Sequence, residues 1–324
     1  MPMTKSALSP PSLNLLQSPI PWLRAFWKFS RPHTIVGTSL SVLGLFGIAW
    51  ATRHPAGLSP GTFDVWQGIS ALWLTWLVCM CTNIYIVGLN QIEDVAADHV
   101  EKPYLPIATG EFSSAQAKML VGIACSGAIL LAVLSQSLYL MVTVWLSLAI
   151  GTAYSLPPLR LKRFPLLASF CTLLVRGAVV NLGIYLHVAS QLGLLPQVPG
   201  RVWVLTLVVL LFSSAIALLK KLQDASYVID DWRIAKILRS VWWLLTVCYI
   251  SLILTAPFIS AINTEFLAVT HGLALGYFWY LSRQVQLESG NASGAYMSHR
   301  EYYQFIWKLF FIEYLIFPTA CLLY

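Results

Sequence analysis

Asn90, Asp94 and Asp98 follow a long apolar run, Ile69 to Leu89, at intervals of four residues. If the helix implied by that run continues through them, they form one stripe spread over roughly 12 Å, at about 1.5 Å rise per residue. An amide and two carboxylates on one stripe pack poorly, but they supply the hard oxygen ligands that suit Mg²⁺. At the end of a helix that crosses a membrane, such a stripe points to a held metal and to something anionic bound to that metal. Acidic capping and salt bridging are the plainer use of carboxylates at helix ends, and three ligands in register argue against that use alone. Gln91 and Glu93 point elsewhere on the helix and are read as supporting groups.

A second set of polar residues runs Tyr154-Ser-Leu-Pro157-Pro158-Leu-Arg160-Leu-Lys162-Arg163. A tyrosine at a helix end, a Pro-Pro break and three cations provide donors for phosphate oxygens. For Lys162 and Arg163 an anchoring role at the membrane surface is nearly as good a reading. Lys102 lies in a loop stiffened by Pro103 and Pro106. Arg176 and Asn181 fall inside an apolar span, where ionisable groups are functional candidates by default. Five residues apart on an α-helix, they do not share a face well. Arg176 either contacts substrate or pairs with one of the carboxylates. His33 and His187, near helix ends, are read as interfacial residues rather than ligands.

These groups need membrane helices to position them. Hydrophobic residues make up 58% of the 324 and charged residues only 10%, with a mean hydropathy of +0.72; a soluble domain averages about 25% charged. The expected class is all-α and multi-pass, with nine spans around a central cavity. They are placed near 33–51, 68–89, 116–136, 139–155, 166–188, 202–221, 240–260, 266–282 and 303–323. The N-terminus and the loops after spans two, four, six and eight carry 17 of the 20 Lys and Arg. The positive-inside rule puts those loops in the cytoplasm, in a plasma or thylakoid membrane, and an odd number of spans puts the C-terminus outside. The net charge of +7 is therefore read as orientation, with no nucleic-acid partner. The six scattered cysteines form neither a disulfide framework nor a zinc spacing. Met1 to Trp22 lacks the apolar core of a secretory signal and is Arg-poor for a transit peptide, as in a prokaryotic chain or one already trimmed. Residues 1–25 are set apart as a flexible segment before a single transmembrane domain, 26–324.

Asn90-x-x-x-Asp94-x-x-x-Asp98, followed by Lys102-Pro-x-Leu-Pro-x-Ala-x-Gly-Glu-Phe-Ser113, resembles the first motif of the UbiA superfamily of intramembrane prenyltransferases. Within that superfamily it is similar to homogentisate phytyl- and prenyltransferases of the cyanobacterial type. The similarity runs from about Phe26 to the C-terminus. It implies that Tyr154 and Arg160 contact a diphosphate, and that Lys102 belongs to an Asn-Lys-Pro triplet; here Glu101 replaces the Asn. The family's second motif, Lys-Asp-x-x-Asp-x-x-Gly-Asp, is altered. After Lys220, Lys221 holds the first Asp position, Asp224 the second, Tyr227 replaces the Gly and Val228 the last Asp. A shifted register makes Asp224 the first and Asp231 the last, with Asp230 in place of the Gly. Neither register restores three aspartates.

The implied activity is Mg²⁺-dependent transfer of a phytyl- or geranylgeranyl-type group from an allylic isoprenoid diphosphate to an aromatic acceptor such as homogentisate, with decarboxylation, in a setting of membrane lipid. Asp94, Asp98 and Asp224 are the expected catalytic carboxylates. Asn90, Asp94, Asp98, Asp224 and Asp231 are the expected metal ligands. Lys102, Tyr154, Arg160 and Lys221 are expected on the diphosphate. Two other readings keep the fold: a terpene cyclase, in which no aromatic acceptor intervenes, and an isoprenoid-binding paralogue without turnover.

Overall fold

The computed structural model describes residues 12–54, 61–222, 230–285 and 297–324, and these are all-helical. A surface helix, α1 (Pro19–Phe29), precedes α2 (Pro32–Arg53), α3 (Thr62–Glu93) and the short α4 (Val95–Glu101). Then come α5 (Ser114–Leu134), α6 (Leu138–Ser155) and α7 (Pro165–Leu173). A π-helical turn, Leu174–Val179, joins α7 to α8 (Val180–Gln191). The bundle is completed by α9 (Gly200–Lys220), α10 (Asp231–Thr255), α11 (Thr264–Ser282) and α12 (His299–Leu322).

Local sequence explains where these helices begin. Pro32 sits in the first turn of α2 and Pro165 in that of α7, where a missing N–H costs nothing. Ser113 with Gln116 and Ser298 with Glu301 form capping boxes that start α5 and α12. α3 packs along α5, α2 and α6, while α12 packs along α2 and α9. α1 starts inside the segment set apart above as flexible. Its neighbourhood is tied to the loop before α5 by Lys28–Glu111 at 2.7 Å and by Gln116 Nε2 donating to the Leu13 carbonyl at 2.7 Å.

The surface is inverted relative to a protein in water. Trp66, Trp73, Ile123, Leu130, Trp203, Leu207, Trp243 and Leu273 face outward, whereas Asn181, His187, Arg201, His271 and Glu313 are buried. That is the arrangement of a bundle surrounded by hydrocarbon. Among the described residues eight helical segments are long and apolar enough to cross a membrane, which corrects the expected nine. The difference is α11. It matches the expected 266–282 in position, but Glu265, His271 and several Tyr, Thr and Gly residues lower its apolarity. It still runs antiparallel beside α12. Asn263 N–H donates to the Ala320 carbonyl at one end, and Met297 N–H to the Gln284 carbonyl at the other. Midway, His271 Nε2 lies 3.1 Å from Glu313 Oε2, both buried.

Candidate active site

The stripe at the end of α3 is bent. The α-helix stops at Glu93, and Asp94 (φ −109°, ψ 17°) separates it from α4. Backbone bonding nonetheless carries across the bend. Asp94 N–H donates to the Asn90 carbonyl at 3.1 Å, Asp98 N–H to Asp94 at 2.8 Å and Lys102 N–H to Asp98 at 2.8 Å. The three residues therefore keep their spacing of four but divide into two environments.

Asn90 and Asp94 form the first. Asn90 Nδ2 donates to Asp94 Oδ2 at 3.1 Å, and Arg31 Nη2 donates to Asn90 Oδ1 at 3.2 Å. Lys162 Nζ lies 2.6 Å from Asp94 Oδ1, an ion pair by proximity rather than a well-angled hydrogen bond. Arg160 Nη2 is 3.4 Å from the same oxygen and 3.4 Å from the Glu93 carbonyl. Asp98 forms the second environment. It is 2% exposed; its Oδ1 accepts from Lys102 Nζ at 2.8 Å, and its Oδ2 is buried without a partner.

Several elements are shaped to bring these groups together. Arg31 and Arg160 both have left-handed backbone, φ 52° and φ 38°, a conformation that costs a non-glycine residue on the order of 1–3 kcal/mol. Gly151 allows α6 to lie close against α3, since a Cβ there would come within 2.8 Å of Ile86 Cγ1. Tyr85 and Thr152 hydroxyls, 2.7 Å apart, join the same two helices. Tyr154, half-buried at the end of α6, feels the charges of Asp94 and Arg31. Gln91 is structural, as expected: its Nε2 donates to the Phe29 carbonyl at 2.6 Å and holds the end of α1 against α3.

Arg31 and Lys162 are the residues that sequence reasoning undervalued. Arg31 belongs to no motif in the sequence, and no local pattern separates Lys162 from Arg163. The short 3₁₀ turn Leu161–Arg163 separates them: Lys162 turns to Asp94, while Arg163 donates to the Pro158 carbonyl at 2.7 Å and lies 5.5 Å from the centre of the Phe164 ring. Adjacent cations carry no local signal for such a division.

Two expectations about the spans are corrected. Arg176 and Asn181 do share a face, because Arg176 stands in the π-turn, whose i→i+5 bonding rephases the helix. Both meet α12: the Arg176 guanidinium is 4.8 Å from the Trp307 ring centre and 5.8 Å from that of Phe310, and the Tyr314 hydroxyl donates to Asn181 Oδ1 at 2.7 Å. Arg176 forms no salt bridge among the described residues, so the carboxylate bridge weighed above is not made there. His187 is not interfacial; it is fully buried in α8 with neither ring nitrogen hydrogen-bonded. His33 packs edge-on against Trp307, ring centres 6.0 Å apart.

The second motif is only partly in view. Lys221 caps the end of α9 and Asp231 begins α10, both exposed; Asp224 lies outside the described residues. No hydrogen bond or ion pair among the described residues joins Lys221 or Asp231 to the Asn90–Asp94 pair. A cavity of about 890 Å³ along α9 and α10 is lined by Leu211, Trp232, Lys236, Arg239 and Trp243 and shares no residue with that pair.

Among the described residues no three His, Cys, Asp or Glu side chains converge as a metal site. The donors present still suit Mg²⁺. Asn90 Oδ1 and the oxygens of Asp94 and Asp98 are hard ligands, and Asp98 Oδ2 is a buried carboxylate oxygen with a lone pair to give.

Comparison with known proteins fits this geometry. The description "UbiA prenyltransferase family" matches residues 40–309. A homogentisate phytyltransferase from Synechocystis sp. is 43% identical over 307 residues, covering 92% of this chain and 96% of its own. A homogentisate geranylgeranyltransferase from Triticum aestivum is 33% identical, covering 91% of this chain and 72% of its own. A solved structure, a UbiA homologue from Archaeoglobus fulgidus bound to GPP and Mg²⁺, shares the fold with a TM-score of 0.57 at 15% identity, over 91% of this chain and 99% of that one. With a family match that runs from α2 into α12, the chain belongs to the UbiA prenyltransferase family.

Proposed function

We propose that the protein transfers a phytyl- or geranylgeranyl-type group from its allylic diphosphate to homogentisate within the membrane. The observation that carries this reading is the meeting of Asn90 and Asp94 with Arg31, Arg160 and Lys162, drawn from three separate parts of the chain. The names of relatives 43% and 33% identical support both the acceptor and the class of donor.

Arg160 and Lys162, with Lys102 and the Tyr154 hydroxyl, bind the diphosphate oxygens through charge-assisted hydrogen bonds. Lys221, at the head of the altered motif, adds a fixed positive charge. As the allylic C–O bond breaks, the diphosphate leaves with the electron pair, and these fixed cations stabilise the charge that develops. Asn90, Asp94 and Asp98 would hold Mg²⁺, with Asp224 and Asp231 as ligands from the second motif. When bound, the metal supplies further neutralisation of the leaving group. The apolar bundle keeps water from the allylic cation, so that a carbon of the acceptor ring forms the new C–C bond and then loses its proton; the acceptor's carboxylate leaves as CO₂, and the methylene it leaves behind takes up a proton to become a methyl group. The loop charges support a cytoplasmic N-terminus in a plasma or thylakoid membrane, with the site at the same end.

The test is turnover by purified protein in lipid with Mg²⁺ and phytyl or geranylgeranyl diphosphate, with and without homogentisate, and products identified by mass. A prenylated aromatic is expected. Diphosphate release with a cyclic hydrocarbon and no acceptor would replace the transferase with a cyclase. Binding without release of diphosphate would leave a non-catalytic protein.

A further inference from the structure

Arg176 is the one arginine placed at the centre of a span rather than near its end. It lies eleven residues into the segment that begins at Pro165, within the π-turn. A guanidinium at that depth is retained only with a counter-charge or a ring of acceptors. Among the described residues its N–H groups have neither. Trp307 and Phe310 hold it through their ring faces, 4.8 and 5.8 Å away, which fixes its position but leaves its donors unspent. The buried carboxylate of α12, Glu313, is engaged with His271 at 3.1 Å. Arg176 as a residue is half-buried.

Side-chain contacts link Arg176 to the proposed diphosphate site. His33 packs on the same Trp307 ring as Arg176, and it stands where the charges of both Arg31 and Arg176 reach it. Arg31 in turn holds Asn90, and Asn90 holds Asp94. One wall therefore runs from the acidic stripe to Arg176, with more positive charge than the carboxylates along it require. The first part of that wall is spoken for by the diphosphate. The second offers a planar fork of donors beside aromatic rings, a match for a small aromatic acid.

We propose that Arg176 binds the carboxylate of the aromatic acceptor and so selects an acid over a neutral phenol. This rests on the homogentisate reading above and names the group that recognises its carboxylate. The Trp307 ring, by holding the guanidinium, acts as a positioning residue.

The experiment compares homogentisate with methylhydroquinone, in which a methyl replaces the carboxymethyl group. Arg176→Gln is expected to raise the KM for homogentisate roughly 10- to 100-fold, the loss typical of a charged hydrogen-bonded pair. The KM for the prenyl diphosphate and the turnover of methylhydroquinone should stay within about twofold of wild type. Equal loss with both acceptors, or a shift in the diphosphate KM, overturns the assignment. Arg176→Lys keeps the charge without the fork and should fall between the two. Should neither variant fold, wild type alone decides: it should prefer homogentisate to its methyl ester and to methylhydroquinone by about tenfold or more in kcat/KM, and no preference overturns the proposal. A wild type that ignores homogentisate but prenylates another phenol overturns the function above, and this inference with it.

Discussion

Asp94 and Glu313 are both carboxylates set into the same bundle, and their company differs. Asp94 meets Lys162 at 2.6 Å and Arg160 at 3.4 Å, and through Asn90 it is linked to Arg31. Glu313 is fully buried and meets His271 at 3.1 Å through Oε2, while its Oε1 has no hydrogen-bond partner among the described residues. The first region has more cations than its acids need, and two of its arginines are held in left-handed backbone. The second has a single His–Glu contact and backbone in helical conformation. Surplus charge and strained backbone suit the anion site proposed above; a buried His–Glu contact between two helices serves packing and helix register. By the same measure Arg176 falls with the first region, although it lies at the depth of the second.

Substitutions can break this contrast, the largest effect first. Asp94→Ala should lower turnover about a thousandfold or more while the protein still inserts and folds, since the proposed mechanism uses Asp94 as a ligand and charge as the C–O bond breaks. Normal turnover in a folded variant would remove Asp94 from the site. Glu313→Ala should instead destabilise the protein by about 3 kcal/mol, read as a lower Tm in detergent, with substrate KM values unchanged in what folds. The double change Glu313→Leu with His271→Leu should recover most of that loss, and failure to do so would give the pair a role beyond packing.

Lys162→Met sharpens the comparison within the first region. It should raise the KM for the prenyl diphosphate roughly 10- to 100-fold, whereas Arg163→Met, a residue bonded to nearby backbone, should shift it about twofold or less. Equal effects would mean that the loop acts only through its overall charge. Lys221→Asp is expected to have the smallest effect, a decrease of about fivefold in turnover, as the cation that the proposed mechanism sets by the leaving group is exchanged for a weak ligand. A rise in turnover or in Mg²⁺ affinity would show instead that Lys221 impairs the metal site.

Much of this protein was legible before its structure. Apolar windows located the helices because hydrocarbon accepts only uncharged, internally bonded backbone. The pairings Asn90–Asp94 and Asp98–Lys102 follow from the i, i+4 geometry of a helix. The loop from Tyr154 to Arg160 was recognisable by its donors, and Arg160 does reach Asp94. What failed to show were departures from regularity. The bend at Asp94 divides a stripe that spacing alone draws as continuous. The π-turn puts Arg176 and Asn181 on one face against the arithmetic of 3.6 residues per turn. α11 has the length of a span but exchanges apolarity for the His271–Glu313 contact, so hydropathy and packing give it different standing.

The amino-acid sequence by itself determined which segments cross the membrane as helices, and that hard acids and phosphate-seeking bases occur together. These are local properties, set by side-chain chemistry and the repeat of the helix. Tertiary structure alone decided which bases meet which acids. Arg31 lies 59 residues from Asn90 and Arg160 lies 66 from Asp94, and His187 is buried by neighbours that its own segment does not name. Such partners are chosen by how helices pack and where the backbone bends, and that choice is spread over side chains throughout the bundle rather than written beside the residues it joins.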